Sequence, residues 1–100
     1  MEEKNQINIE IKPEIAGGKY SNLAIISHSH SEFVLDFAGM FLGQNKPEVV
    51  ARVIMSPEHA KRLLAALNDN IRKYESQFGT IELPGQGNTY NMVNQNGTKS

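Results

Sequence analysis

Residues 49–79 read VVARVIMSPEHAKRLLAALNDNIRKYESQFG and contain the signals of a strand that leads directly into a helix. Residues 49–55 carry apolar side chains on both sides of an extended chain, which is typical of a strand with two covered faces. Ser56 and Pro57 predict the helix start, because serine accepts hydrogen bonds from the free first amides and proline fits the first turn. Apolar residues then recur every third or fourth position as far as Gly79, the expected residue beyond the helix end. We therefore predict one long amphipathic helix of about 22 residues.

Three segments before this stretch also have the pattern of strands. Residues 7–12 alternate isoleucine with polar residues, and residues 20–27 contain the apolar run LAII. Residues 33–37 place Phe33, Leu35 and Phe37 on one face. Turn residues separate these segments. The sequence thus predicts an α+β fold, in which a four-stranded antiparallel sheet is followed by one long C-terminal helix.

Changes in composition predict the boundaries of a single domain. Residues 1–6 are polar and are expected to be flexible, whereas residues 7–83 contain all the periodic segments. Residues 84–100 are rich in Asn, Gln and Gly with one charge, and we expect a disordered tail. Residues 38–48 contain two glycines and a proline around an apolar centre, which predicts a loop whose centre packs against the domain.

Composition excludes several classes of protein. The net charge of -1 gives no global attraction to nucleic acid or to an anionic membrane. The absence of cysteine excludes disulfides, thiolate zinc sites and a cysteine nucleophile. The first residues are acidic where a secretory signal would be basic, and no apolar run approaches the ~18 residues of a membrane span. We expect a cytoplasmic protein with no membrane contact.

The predicted sheet has more apolar surface than one helix can cover. Residues such as Leu23, Ile25 and Ile54 cannot all face the same helix, and an exposed apolar sheet face is a site for a partner. A second copy packed on this face is the simplest cover, so we expect a homo-oligomer, either a dimer or a tetramer. Asp36 and Arg52 lie among these apolar positions, and we expect a cross-strand ion pair between them.

Signals for catalysis or cofactor binding are weak. His28, His30 and His59 are the only histidines, and neither their spacing nor neighbouring acidic residues favour a metal site. The simpler interpretation is that His28 and His30 are turn residues and His59 lies at a helix start. No serine has the context of a nucleophile elbow, and the glycine-containing segments lack the setting of phosphate loops. We expect no enzyme activity, no cofactor and no bound metal.

Binding of another macromolecule is the remaining class. The apolar residues of the loop favour a groove for a polypeptide client or protein partner. Nucleic acid is the rival partner, because the helix exposes lysines and arginines, but nearby carboxylates nearly neutralise them. The residues expected at a partner-binding or interface site are Phe33, Asp36, Phe41, Leu42 and Arg52.

Three short patterns resemble those of a family of small prokaryotic proteins that is described only as a domain of unknown function. The patterns are EFxxDF from residue 32, RVxxSPxHAK from residue 52 and NIxxYExxFG from residue 70, and the resemblance covers about residues 19–83. It implies no activity or ligand. The matching residues are Tyr20, Asn22, Glu32, Phe33, Asp36, Phe37, Arg52, Val53, Ser56, Pro57, His59, Ala60, Lys61, Asn70, Ile71, Tyr74, Glu75, Phe78 and Gly79.

The predicted order of four antiparallel strands and then a long helix is also similar to the SecB-type export chaperone fold. That resemblance is one of topology, without a shared motif, in a shorter chain. It implies assembly through the sheets and the holding of unfolded chains in apolar grooves. We therefore expect a non-enzymatic protein-interaction or chaperone-like module. The alternative is a small nucleic-acid-associated or regulatory protein.

Overall fold

The structure is a computed structural model that describes residues 7–84 and 89–91. Three strands, β1 (Leu23–His28), β2 (Phe33–Gly39) and β3 (Glu48–Met55), form an antiparallel sheet. A 22-residue helix, α2 (Pro57–Phe78), follows β3 directly. The α+β class and the order of an antiparallel sheet before a long C-terminal helix are therefore confirmed.

Two short elements complete the described chain. Helix α1 (Pro13–Ala16) precedes the sheet, and the three-residue strand β4 (Thr89–Asn91) pairs with β1 in parallel orientation. The strand order is β3-β2-β1-β4, so β3 is one edge of the sheet. The predicted flexible residues 1–6 and most of the predicted tail 84–100 lie outside the described residues.

The predicted strand at residues 7–12 is not a strand in the structure. The segment pairs with no strand among the described residues, and Ile7, Ile9 and Ile11 are exposed. Pro13 starts α1 where an edge strand would continue, because its fixed φ suits a first helical turn. The antiparallel part of the sheet thus has three strands instead of the predicted four, and the alternating residues 7–12 stay unpaired among the described strands.

The turns of the sheet follow from their sequence. Ser29 closes the connection between β1 and β2, since its Oγ accepts hydrogen bonds from the amides of Ser31 and Glu32 at 3.2 and 3.3 Å. The register between β2 and β3 shifts between Phe37 and Ala38. This irregularity lies at the end of the sheet that leads into the loop of residues 40–47, and it changes the face on which the first residues of β3 lie.

Helix α2 begins and ends where the sequence predicts. The Oγ of Ser56 accepts a hydrogen bond from the amide of His59 at 3.1 Å, which caps the free N-terminal end. Gly79 follows the last turn with a φ of 101°, and its amide donates to the carbonyl of Glu75 at 2.9 Å. The carboxylate of Glu75 accepts a second hydrogen bond, from the amide of Ile81 at 2.9 Å. The chain beyond α2 is thereby tied to its last turn.

Very little of the described chain is fully buried. Leu23 and Ala38 are the buried hydrophobic residues, and they face each other in the register of β1 and β2. No residue of α2 is buried. The large apolar residues of the helix stripe, from Leu63 to Phe78, are therefore exposed in the single chain. The helix is about 33 Å long at 1.5 Å per residue, whereas the seven residues of β2 extend about 23 Å.

Candidate functional site

An apolar groove lies between the sheet and the first half of α2. Its volume is about 320 Å³. The sheet and the helix each contribute four side chains to its lining, and all eight are apolar. The lining residues are Ile26, Phe33, Leu35, Met55, Ala60, Leu63, Leu64 and Leu67.

Strand register places the sheet residues of this groove on one face. Phe33 lies opposite Met55 across β2 and β3, and Leu35 lies opposite Ile26 across β2 and β1, so their side chains point to the same side. The ring of Phe33 also stacks on His28 with centroids 5.2 Å apart. Only Ser56 separates β3 from α2, and this short connection puts the first turns of the helix over the same face.

The apolar stripe of α2 continues beyond the groove. Leu64 is 67% exposed, and Phe78 is also 67% exposed at the other end of the helix. The rings of Tyr74 and Phe78 contact each other with centroids 4.9 Å apart. The groove and the rest of the stripe, which includes Ile71, form one continuous apolar surface, which we call the groove surface.

The other face of the sheet carries an ion pair among apolar side chains. Arg52 donates from Nε to Oδ1 of Asp36 at 2.6 Å and from Nη2 to Oδ2 at 2.9 Å. The two residues are direct partners in the register of β2 and β3. The side chain of Asp36 is 13% exposed and that of Arg52 is 63% exposed. The expected cross-strand pair is therefore present, and it is bidentate, the geometry in which a guanidinium matches a carboxylate.

The pair changes the titration of both partners. The hydrogen bonds from Arg52, with its positive charge, lower the pKa of Asp36 below its usual value of 3.8, although partial burial opposes this. The same hydrogen bonds raise the pKa of Arg52. Ile25 lies opposite Asp36 on β1, and Ile54, two residues after Arg52, is 53% exposed. This face, which we call the open face, is apolar around one satisfied ion pair.

The loop of residues 40–47 is attached to the start of β1 through its first residue. The side chain of Asn22 both accepts a hydrogen bond from the amide of Met40 at 3.0 Å and donates to its carbonyl at 3.1 Å. The ring of Phe41 packs so closely on Gly39 that a Cβ there would lie 2.5 Å from it. Leu42 is fully exposed. The loop's apolar centre therefore packs against the domain at Phe41 and not at Leu42.

The five residues predicted for partner binding lie in three different places. Phe33 lines the groove, Asp36 and Arg52 form the ion pair on the open face, and Phe41 and Leu42 belong to the loop. The structure does not bring them into one site. The sequence prediction missed the helix residues of the groove because an amphipathic stripe looks the same whether its own sheet or another chain covers it.

The described residues were also compared with the requirements of a metal site and of a membrane span. Within residues 7–84, no three His, Asp or Glu side chains come together as metal ligands. No helix among the described residues is long and apolar enough to cross a membrane.

Comparison with known proteins identifies a family. The family model described as "Protein of unknown function (DUF3467)" matches residues 1–83, and the chain belongs to this family. The predicted resemblance to a domain of unknown function is confirmed. Searches of curated proteins and of solved structures found no match.

Proposed function

We propose that this member of the DUF3467 family is a non-enzymatic protein-interaction domain that binds apolar segments of other polypeptides on the groove surface. The observation that carries the proposal is a groove lined by eight apolar side chains on a domain whose described residues include two buried hydrophobic ones. Water contact with so much apolar surface is unfavourable, at about 25 cal/mol per Å², and a bound apolar segment removes it.

The chemistry around the groove favours binding over catalysis. Its lining offers no charged or nucleophilic side chain. The ion pair of Asp36 and Arg52 lies on the other face of the sheet, and each partner satisfies the other. Lining side chains that cannot move a proton or stabilise a developing charge are suited to hold a ligand unchanged.

The proposed mode of binding is chaperone-like. Apolar contact is not directional, so the groove surface would accept many sequences that share hydrophobic side chains. An antiparallel sheet followed by a long helix supports a comparison with SecB-type export chaperones. A SecB-like architecture is therefore part of the proposal. A polypeptide client in the cytoplasm is the partner that this comparison implies.

Assembly of several copies is a further part of the proposal. The open face presents Ile25, Val34 and Ile54 to one side of the sheet while the groove surface occupies the other. We propose a homo-oligomer, a dimer or a tetramer, in which a second copy covers the open face. The bidentate ion pair would keep both charges satisfied once water is excluded.

Nucleic-acid binding has weaker support. Arg62 pairs with Glu58 at 2.6 Å and Lys73 pairs with Asp69 at 3.3 Å along α2. These contacts engage two of the four cations of the helix with carboxylates, which reduces the positive field that phosphates require. Steep salt dependence of any binding would point to this alternative.

The test of the proposal is aggregation of a denatured model protein diluted into buffer with and without this chain. We expect the chain to suppress light scattering by the aggregating client. The change Leu64→Asp should lower the affinity for an apolar client peptide about tenfold to a hundredfold, because a buried leucine contributes about 1.5–3 kcal/mol. Leu83→Asp is the matched control, since Leu83 is 85% exposed and lies outside the groove.

Three results separate the outcomes. Suppression that is lost with Leu64→Asp, kept with Leu83→Asp and insensitive to salt supports the groove surface. No suppression by the unchanged chain, or equal effects of the two variants, contradicts it. Binding that falls steeply as salt rises would replace it with the nucleic-acid alternative.

A further inference from the structure

Residues 7–12, INIEIK, have the sequence of a half-buried strand but pair with no strand among the described residues. Ile7, Ile9 and Ile11 alternate with polar residues and are 77%, 79% and 62% exposed. Lys12, at the end of the segment, has φ -71° and ψ 150°, which is an extended conformation. In a strand conformation these three isoleucines lie on one side of the chain and the polar residues on the other. We call residues 7–12 the N-terminal segment.

The sheet has an edge that this segment fits. Strand β3 has eight residues and pairs only with β2 among the described strands, so the backbone groups along its outer side have no strand partner. Val49 and Val53 on this strand are 50% and 42% exposed. A long apolar edge strand promotes pairing with another chain, and natural proteins usually cover or interrupt such an edge.

We propose that the N-terminal segment of one copy adds as a strand to the β3 edge of a second copy. In the register that places Glu10 opposite Arg52, Ile9 and Ile11 lie next to Ala51 and Val53. Ala51 and Val53 lie opposite Phe37 and Leu35 on β2, so the isoleucines would extend the apolar face that contains the groove.

Charge complementarity selects this register. Arg52 uses Nε and Nη2 to bind Asp36, whereas its Nη1 makes no hydrogen bond to the described residues. Its side chain remains 63% exposed on the outer strand. A carboxylate on an added strand can approach the guanidinium from the side opposite Asp36. Glu10 is the acidic residue of the N-terminal segment, and pairing it with Arg52 would place one cation between two carboxylates on neighbouring strands.

The second copy is a better acceptor than the segment's own sheet. A segment on the same chain has a high effective concentration at its own edge, and it pairs there whenever the connection permits. Residues 13–22 connect the N-terminal segment to β1, and the segment remains unpaired among the described strands. The chain enters β1 with the amide of Asn22 donating to the carbonyl of Ala38, and β4 pairs with the other side of β1. A second copy is free of this tether, and reciprocal exchange would give two added strands in each dimer.

Engineered cysteines test the proposal in the full-length chain, which has no cysteine of its own. A chain with Ile9→Cys is mixed with a chain of different mass that carries either Val53→Cys or Ala51→Cys, and the mixture is oxidised gently. Antiparallel addition places Ile9 beside Val53, and parallel addition places it beside Ala51. We expect one of the two mixtures to give a disulfide-linked heterodimer in high yield. Leu83→Cys is the control position, because it is exposed and distant in sequence from the edge.

Three outcomes would overturn the proposal. They are a heterodimer yield equal to that of the Leu83→Cys control in both mixtures, a monomeric chain at all concentrations, and a disulfide within one chain that carries Cys at both 9 and 53. The last outcome would mean that the segment adds to its own sheet. Chain mass separates the intramolecular product from the intermolecular one.

A pair of charge substitutions gives an independent measurement. The double change Ile9→Asp with Ile11→Asp should raise the dissociation constant of the dimer on the order of 100-fold, because two isoleucines lose their burial. Ile15→Asp is the matched control in α1, outside the segment, and it should leave association unchanged. An unchanged dissociation constant for the double variant would contradict strand addition. Leu64→Asp should not alter cross-linking at the edge, so this proposal and the groove proposal can fail separately.

Discussion

Asp36 and Arg52 show how individual residues specify the sheet. Each lies at the centre of an apolar strand, and they are direct partners across β2 and β3 with two hydrogen bonds between them. Sliding β3 by one residue would place each charge opposite an apolar side chain. We infer that the pair fixes the register of β2 and β3 more than it adds to net stability.

The lowered pKa of Asp36 predicts how stability depends on pH. A carboxyl group with a lower pKa in the folded state binds protons more weakly there than in the unfolded state. The stabilisation from the pair is therefore complete above about pH 3.8, the usual pKa, and is lost as the pH falls through the lowered value in the folded chain. Asp36→Asn should remove this part of the acid dependence. Urea unfolding at several pH values and constant chain concentration measures it.

Asp69→Asn is the control for the pH experiment. Asp69 pairs with Lys73 at 3.3 Å, but the two side chains are 60% and 73% exposed, and exposed pairs of this kind contribute little. This variant should keep the acid dependence of the unchanged chain. Equal acid dependence of the unchanged chain and Asp36→Asn would mean that the ion pair does not control the loss of stability in acid.

At this scale the sequence predicted the pairing but not the site. The alternation of residues in β2 and β3 was sufficient to place Asp36 and Arg52 on one face, because side chains alternate strictly along a strand. It was not sufficient to place Phe33 and Leu64 in the same groove, since that depends on where the helix lies over the sheet. Residues that are distant in sequence and come from different elements need the fold before they can be assigned to one surface.

Helix α2 is the element that the sequence predicted best. Ser56, Pro57 and Gly79 are local signals, and each acts on backbone groups within one turn of itself. The N-terminal segment is the opposite case. Its alternation indicates the capacity to pair, but a strand exists only where an edge accepts it, and no local signal encodes that edge. The sequence therefore predicted the helix correctly from local signals, whereas the number of antiparallel strands depends on contacts between distant segments.

The cap at Ser56 predicts a measurable contribution to helix stability. Ser56→Ala removes the acceptor for the amide of His59 and should lower the free energy of unfolding by about 1 kcal/mol. Ser76→Ala is the matched control, because the Oγ of Ser76 donates to a carbonyl inside the helix, and alanine is the better helix former there. Urea unfolding followed by circular dichroism compares the two. Equal effects would contradict the importance of the cap.

At the scale of the whole molecule, the main feature of the described residues is their exposed apolar surface. The groove surface, the open face and the N-terminal segment all present hydrophobic side chains to water, while Leu23 and Ala38 are the buried hydrophobic residues of the described chain. A domain of about 80 residues gains little stability from its own core even when that core is well formed. The sequence indicated that one apolar face of the sheet would remain uncovered by the helix. It did not show how little of the helix the sheet would cover.

The most direct measurement is the mass of the full-length chain in solution by light scattering across a hundredfold range of concentration. If other chains cover the apolar faces, the mass should correspond to a dimer or a larger oligomer at the higher concentrations. Ile9→Asp with Ile11→Asp should shift the mass toward that of the monomer. A stable, soluble monomer over the whole range, with no affinity for apolar peptides, would contradict the proposal that this domain functions by packing its apolar surfaces against another polypeptide.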